Sequence, residues 1–160
     1  IGGYTKINPD EDIVSSGLIS KKLLLSKIEI ALAGRAAETI VFGKNEITQC
    51  SINDISYATT IVREMVTKYG FSLMGPLSLE NTNELSIGDG FFRNKSSIAD
   101  DTYSKIDSEI INISKISLNN AMEIISNNRI LLEKLVEILI IKETIENNIF
   151  KKISYDLIKV

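Results

Sequence analysis

The residues from Ala33 to Asp54 read AGRAAETIVFGKNEITQCSIND, and their pattern decides how the rest of the chain is organised. Around the start of this stretch Leu24, Ile28, Ala31, Leu32, Ala36 and Ile40 recur at spacings of three and four, which lines up one apolar face of a helix. Ser20 is a candidate N-cap, because its hydroxyl can accept a hydrogen bond from an otherwise unpaired first-turn amide. Ala33, Gly34, Ala36 and Ala37 are small and let a second element approach the backbone closely. Gly43 is expected to stop the helix in the left-handed C-terminal conformation that glycine adopts without steric penalty. A second helix is expected to begin near Ser51, since Ser51-Ile52-Asn53-Asp54 fits an S-x-x-D capping signature and the helix dipole favours a first-turn carboxylate. Two helix ends therefore meet across a short polar connection, with Asp54 free to point back toward the junction. Any chemistry this chain carries is expected there.

Further along, Ile55, Ala58, Ile61, Val62, Met65 and Tyr69 describe one helical face that Gly70 ends, with Arg63 and Lys68 on or near the outer side. Phe71 to Leu79 reads as a turn with a proline. Glu80 to Ser97 is polar, contains Gly88 and Gly90, and reads as a mobile loop or insertion site in which Phe91 and Phe92 anchor the loop to a core. Beyond Ala99, the positions Ile106, Ile110, Ile113, Ala121, Ile124 and Ile125 predict a long helix closing near Asn127-Asn128. Asn128 would cap a further helix with Leu131, Leu132, Leu135, Ile138 and Leu139 inward, and Thr144 a last short one carrying Ile145, Ile149 and Ile153. Short connections between such helices predict antiparallel neighbours. At the N-terminus, Tyr4-Thr5-Lys6-Ile7 alternates as a short strand does before Asn8-Pro9-Asp10, and an ordinary packed loop is the alternative. The expected fold is thus mainly α: a single-domain helical bundle of four to five helices with at most a small N-terminal strand element.

The bulk properties agree with one globular domain. The chain has 160 residues, 44% of them hydrophobic, and one core is what that length buries. A net charge of −3, with acids and bases interspersed, forms no basic stripe and gives no reason to expect nucleic acid. The only cysteine is Cys50, so no internal disulfide can form; a lone cysteine most often behaves as a small apolar residue. The longest apolar run, around Leu135 to Ile141, is interrupted by Glu137 and falls short of the roughly 18 residues that a membrane span needs. No G-x-x-x-x-G-K-[ST] phosphate loop is present, so ATP and Mg2+ would have to be bound elsewhere.

The order of the motifs is specific. Gly34-Arg35-Ala36-Ala37-Glu38, Ile40-Val41-Phe42-Gly43, Glu46-Ile47-Thr48 and Asn53-Asp54-Ile55 follow one another, then Ala58-Thr59, Arg63 to Gly70, and Gly75-Pro76-Leu77. This succession resembles the peptidase domain of the membrane-bound, ATP-dependent zinc metalloproteases of the FtsH type, over most of the first half of the chain. From about residue 80 the resemblance thins to helical pattern, with a weak echo in Lys142-Glu143-Thr144-Ile145. It implies a zinc endopeptidase acting on unfolded or damaged membrane and soluble proteins. It also implies a homo- or hetero-hexameric ring of such subunits beneath an ATPase ring, with a membrane anchor upstream. The enrichment in residues with AT-rich codons (Ile, Asn, Lys, Ser) together with the resemblance points to a plastid, in a thylakoid setting, with a bacterial inner membrane as the alternative.

In the family the aspartate of the SND motif is the third protein ligand of the catalytic zinc, beside two histidines of an HExxH helix. Carried over, that ligand is Asp54. A zinc site of this kind keeps three protein ligands and one position for water, and HExxH sets two imidazoles on one helix face with the glutamate as general base. Glu38 is a candidate to orient a ligand histidine through its free ring N–H, the alternative being a structural ion pair with Arg35 or a lysine. The sequence contains no histidine, so two ligands and the base are absent from these 160 residues. The chain alone is expected to be inactive, as a peptidase-type domain lacking the HExxH helix and the ATPase module at its N-terminal side. The other reading is a non-catalytic FtsH-like domain with a structural or oligomerisation role. Two further departures stand out: Cys50 occupies a position where the family usually has glycine, which would make a positive φ costly, and Thr39 replaces a second acid.

Overall fold

The computed structural model of the protein describes residue 5, residues 18–79 and residues 100–158. Within them the structure is all-helical, five helices with no strand and one isolated antiparallel bridge between Ser72 and Gly75. The alternating segment Tyr4 to Ile7 lies outside the described residues apart from Thr5, as does the polar stretch with Phe91 and Phe92.

Helix α1, Lys21–Phe42, starts where the sequence places it: the Ser20 hydroxyl accepts from the Leu23 amide at 3.2 Å. Its apolar stripe buries Leu24, Ile28, Leu32 and Ala36 at strict i, i+4 spacing. Ile40 is only half-buried, because the last turn runs past the end of the core. Gly43 does hold a positive φ of 88°, but its ψ of 164° is extended, so the helix ends without the expected left-handed cap. The Gly43 amide still donates to Thr39 O at 3.1 Å before the chain turns through Glu46 N to Gly43 O at 3.2 Å.

Helix α2, Ile52–Thr67, buries Ala58, Ile61, Val62, Met65, Val66 and Thr67. The inward face is therefore rotated from the expected one near its end. Val66 and Thr67 go in, while Tyr69 lies beyond the helix and stays exposed, its ring 6.0 Å from that of Phe71. Thr67 tolerates burial because its hydroxyl donates to Arg63 O at 2.8 Å and its carbonyl accepts from Leu79 N at 2.7 Å. Gly70 ends the helix as expected, at φ 63°; a Cβ there would also come 2.8 Å from Pro76 Cα, so the segment after the helix folds back against bare backbone. That segment is tied to the next helix by Leu73 N donating to Glu109 Oε2 at 3.1 Å.

Helix α3, Asp100–Asn127, completes a three-helix body by burying Ile106, Ile110, Ser117 and Ala121 against α1 and α2. Ile113 and Ile125 are half-buried, whereas Ile124 is exposed, contrary to expectation. Ser117, only 1% exposed, occupies the inward position where a larger side chain would force the helices apart. Asn120 Nδ2 donates to Glu29 Oε1 at 2.9 Å at the rim of the α1–α3 seam.

Helices α4, Arg129–Lys142, and α5, Asn147–Ile158, follow as a loosely packed terminal pair. Among the described elements α4 meets only α3 and α5, and α5 meets only α4. Both expected caps differ. Asn128 donates its side-chain amide to Ile124 O at 2.8 Å and so closes α3 rather than opening α4. Thr144 donates back to Lys142 O at 3.3 Å, and α5 begins three residues later. Leu131, Leu132, Leu135 and Ile138 are half-buried but none is fully buried, and Leu139 is exposed, because among the described residues no third layer covers these helices. Ile140 and Ile141 stand 77% and 80% exposed.

Ile28 is 0% exposed at the centre of the body, so Ile28→Ala is expected to cost about 2–5 kcal/mol through lost burial and the cavity left behind. Ile140→Ala, at an exposed site, should stay within about 0.5 kcal/mol of the parent. Urea unfolding followed by circular dichroism checks both, and comparable costs at the two positions would contradict this placement of the core.

Candidate functional site

The motif-bearing stretch forms one end of the body, where the last turn of α1, the connection after Gly43, a 3₁₀ turn at Gln49–Ser51 and the first turn of α2 come together. Its centre is a two-point hydrogen-bonded clasp. The Thr48 hydroxyl donates to Glu38 Oε1 at 2.7 Å, and the Thr48 amide donates to Glu38 Oε2 at 3.1 Å. The Thr48 oxygen in turn accepts from the Cys50 amide at 3.3 Å, which caps the 3₁₀ turn. Arg35 Nη1 lies 3.9 Å from Glu38 Oε2, the outer limit of an ion pair. The expected Arg35–Glu38 pair is therefore present, but as the weaker contact of that carboxylate. Thr39 causes no disruption, since its hydroxyl donates to Arg35 O at 2.8 Å.

Ser51 does not cap α2. It is the last residue of the 3₁₀ turn, with φ −89° and ψ 15°, outside the extended region that an N-cap needs to aim its oxygen at the first-turn amides. Its hydroxyl is instead buried with no hydrogen-bond partner among the described residues. Asp54 lies in the first turn of α2, exposed, and its carboxylate makes no hydrogen bond or ion pair among the described residues. The first-turn amides still favour a negative charge there through the helix dipole. Cys50 is exposed and free, and its φ is not positive, so the strain expected from replacing a glycine does not arise. Exposed Val41, Phe42, Ile47, Ile52 and Tyr57 lie along the same stretch, an unusual density of uncovered apolar surface.

The donor set does not fit a complete metal site. No group of three or more histidine, cysteine, aspartate and glutamate side chains among the described residues could hold an ion, and the sequence has no histidine. Asp54 could supply one oxygen ligand and no more. Thr48 belongs to the motif series, but its pairing with Glu38 is not legible there. Its own capping of the following turn is a local signal, a threonine two residues before the amide it accepts, but its pairing with Glu38 spans ten positions and has no periodic signature.

The clasp has a titration consequence. The hydroxyl of Thr48, then its amide, hold the Glu38 carboxyl below its ordinary range, with Arg35 contributing less and desolvation opposing. A depressed folded-state pKa means stability that is present above the ordinary glutamate range and is lost as pH falls through the folded value. In a carbon-13 titration of the side-chain carboxyls, Glu38 is expected to protonate below the ordinary glutamate range, and Thr48→Val should move it back up. Glu38 titrating within the ordinary glutamate range would show that the clasp does not form in solution.

Comparison with known proteins bears on what this end of the molecule is. Residues 1–153 match the family model described as peptidase family M41. The chain is 41% identical over 152 residues, 94% of its length, to the "ATP-dependent zinc metalloprotease FtsH" of Cyanidium caldarium, covering 24% of that protein. It is 34% identical over 152 residues, 91% of its length, to "ATP-dependent zinc metalloprotease FtsH 3" of Synechocystis, covering 24% of that protein. With "ATP-dependent zinc metalloprotease FTSH 8, chloroplastic" of Arabidopsis thaliana it shares 33% identity over 158 residues, 99% of the chain and 23% of the relative. The chain thus spans about a quarter of the length of the curated relatives it matches. No helix among the described residues is long and apolar enough to cross a membrane. With the family model aligned across the Glu38–Thr48 clasp and the first turn of α2, the chain belongs to peptidase family M41, the peptidase domain of FtsH-type ATP-dependent zinc metalloproteases.

Proposed function

We propose that these 160 residues form the C-terminal part of the peptidase domain of an ATP-dependent zinc metalloendopeptidase that degrades unfolded or damaged membrane and soluble proteins. Asp54 is the one zinc ligand that the chain contributes. The two imidazole ligands and the general base belong to an HExxH helix outside this sequence. ATP and Mg2+ belong to an ATPase module also outside it. The observation that carries the reading is the Asp54 carboxylate, uncommitted to any partner among the described residues and set in the first turn of a helix inside the matched motif. A carboxylate used as a local cap or in an ion pair would have its oxygens occupied; this one is free to bond a metal. The exposed apolar residues beside it, Phe42 and Ile52 among them, support further polypeptide covering this end.

The chain-level partners follow from the same reading: a homo- or hetero-hexamer of FtsH-type subunits, unfolded protein as substrate, and a membrane anchor in a thylakoid or a bacterial inner membrane. A second reading draws on the missing histidines: a non-catalytic FtsH-like subunit that keeps the fold to fill a ring position.

The two are separated by grafting residues 1–153 into the corresponding place in the Cyanidium caldarium protease. The 160-residue chain alone should hold no stoichiometric zinc by elemental analysis. The hybrid should hold about one zinc per subunit and degrade casein with ATP, and Asp54→Ala should lose both. Full zinc in the Asp54→Ala hybrid would remove Asp54 from the ligand set. A folded hybrid with neither zinc nor proteolysis would favour the non-catalytic reading.

A further inference from the structure

We draw no further inference here: the strongest candidate, the apolar groove between α1 and α3 lined by Ile30, Ala33, Ala121 and Ile124, is an uncovered face for which nothing in the structure shows what occupies it.

Discussion

The structure depends on the burial of one stripe of α1. Leu24, Ile28, Leu32 and Ala36 face both α2 and α3, and Ile28 is sealed completely between them. Fully burying an aliphatic side chain of this size is worth on the order of 1.5–3 kcal/mol, and no other helix in the fold contacts both of the others along so much of its length. Because the stripe sets the rotation of α1, it also sets which side chains of its last turns leave the core. Glu38 emerges toward the connection rather than into the body for that reason, and the clasp with Thr48 is a consequence of helix phase as much as of hydrogen-bond chemistry.

The elements legible in the sequence are those whose cause is local or strictly periodic. The Ser20 cap is three residues from the amide it serves, the α1 stripe is pure i, i+4 spacing, and Gly70 sits where a positive φ and a bare backbone are both required. Misreadings occur where a nearby element changes the geometry that a motif assumes. Ser51 has the composition of an N-cap, but it ends the 3₁₀ turn with a ψ of 15°, not extended, and its hydroxyl caps no first-turn amide. Asn128 has the composition of a cap for α4, yet the carbonyl of Ile124 is the nearer partner and takes it. Ser117 and Thr67 are invisible to an apolar pattern because their burial is made tolerable by small size or by a backbone bond that only three dimensions supply.

The site divides in the same way. Asp54, Glu38 and Thr48 all belong to the ordered series of motifs, but the bond between Glu38 and Thr48 emerges only when α1 and the turn are seen side by side. On the reading proposed for Asp54, the fold also explains why its carboxylate can be set in place without an ion. The carboxylate is carried by a helix whose buried face, Ala58 to Val66, owes nothing to a metal, so the scaffold can exist before any ion arrives. Zinc, if bound here, would be added to a preformed ligand rather than organise it, unlike small metallodomains that fold only with their ion.

The sparse attachment of the α4–α5 pair bears on how the molecule comes apart. Its two helices touch the body only at the base of α4, and at 14 and 12 residues each is too short to persist alone in water. With so little of it packed on the body, this pair is where local opening would cost least among the described helices. The same two helices leave Ile130, Ile140 and Ile141 exposed, so sparse packing and bare apolar surface coincide there.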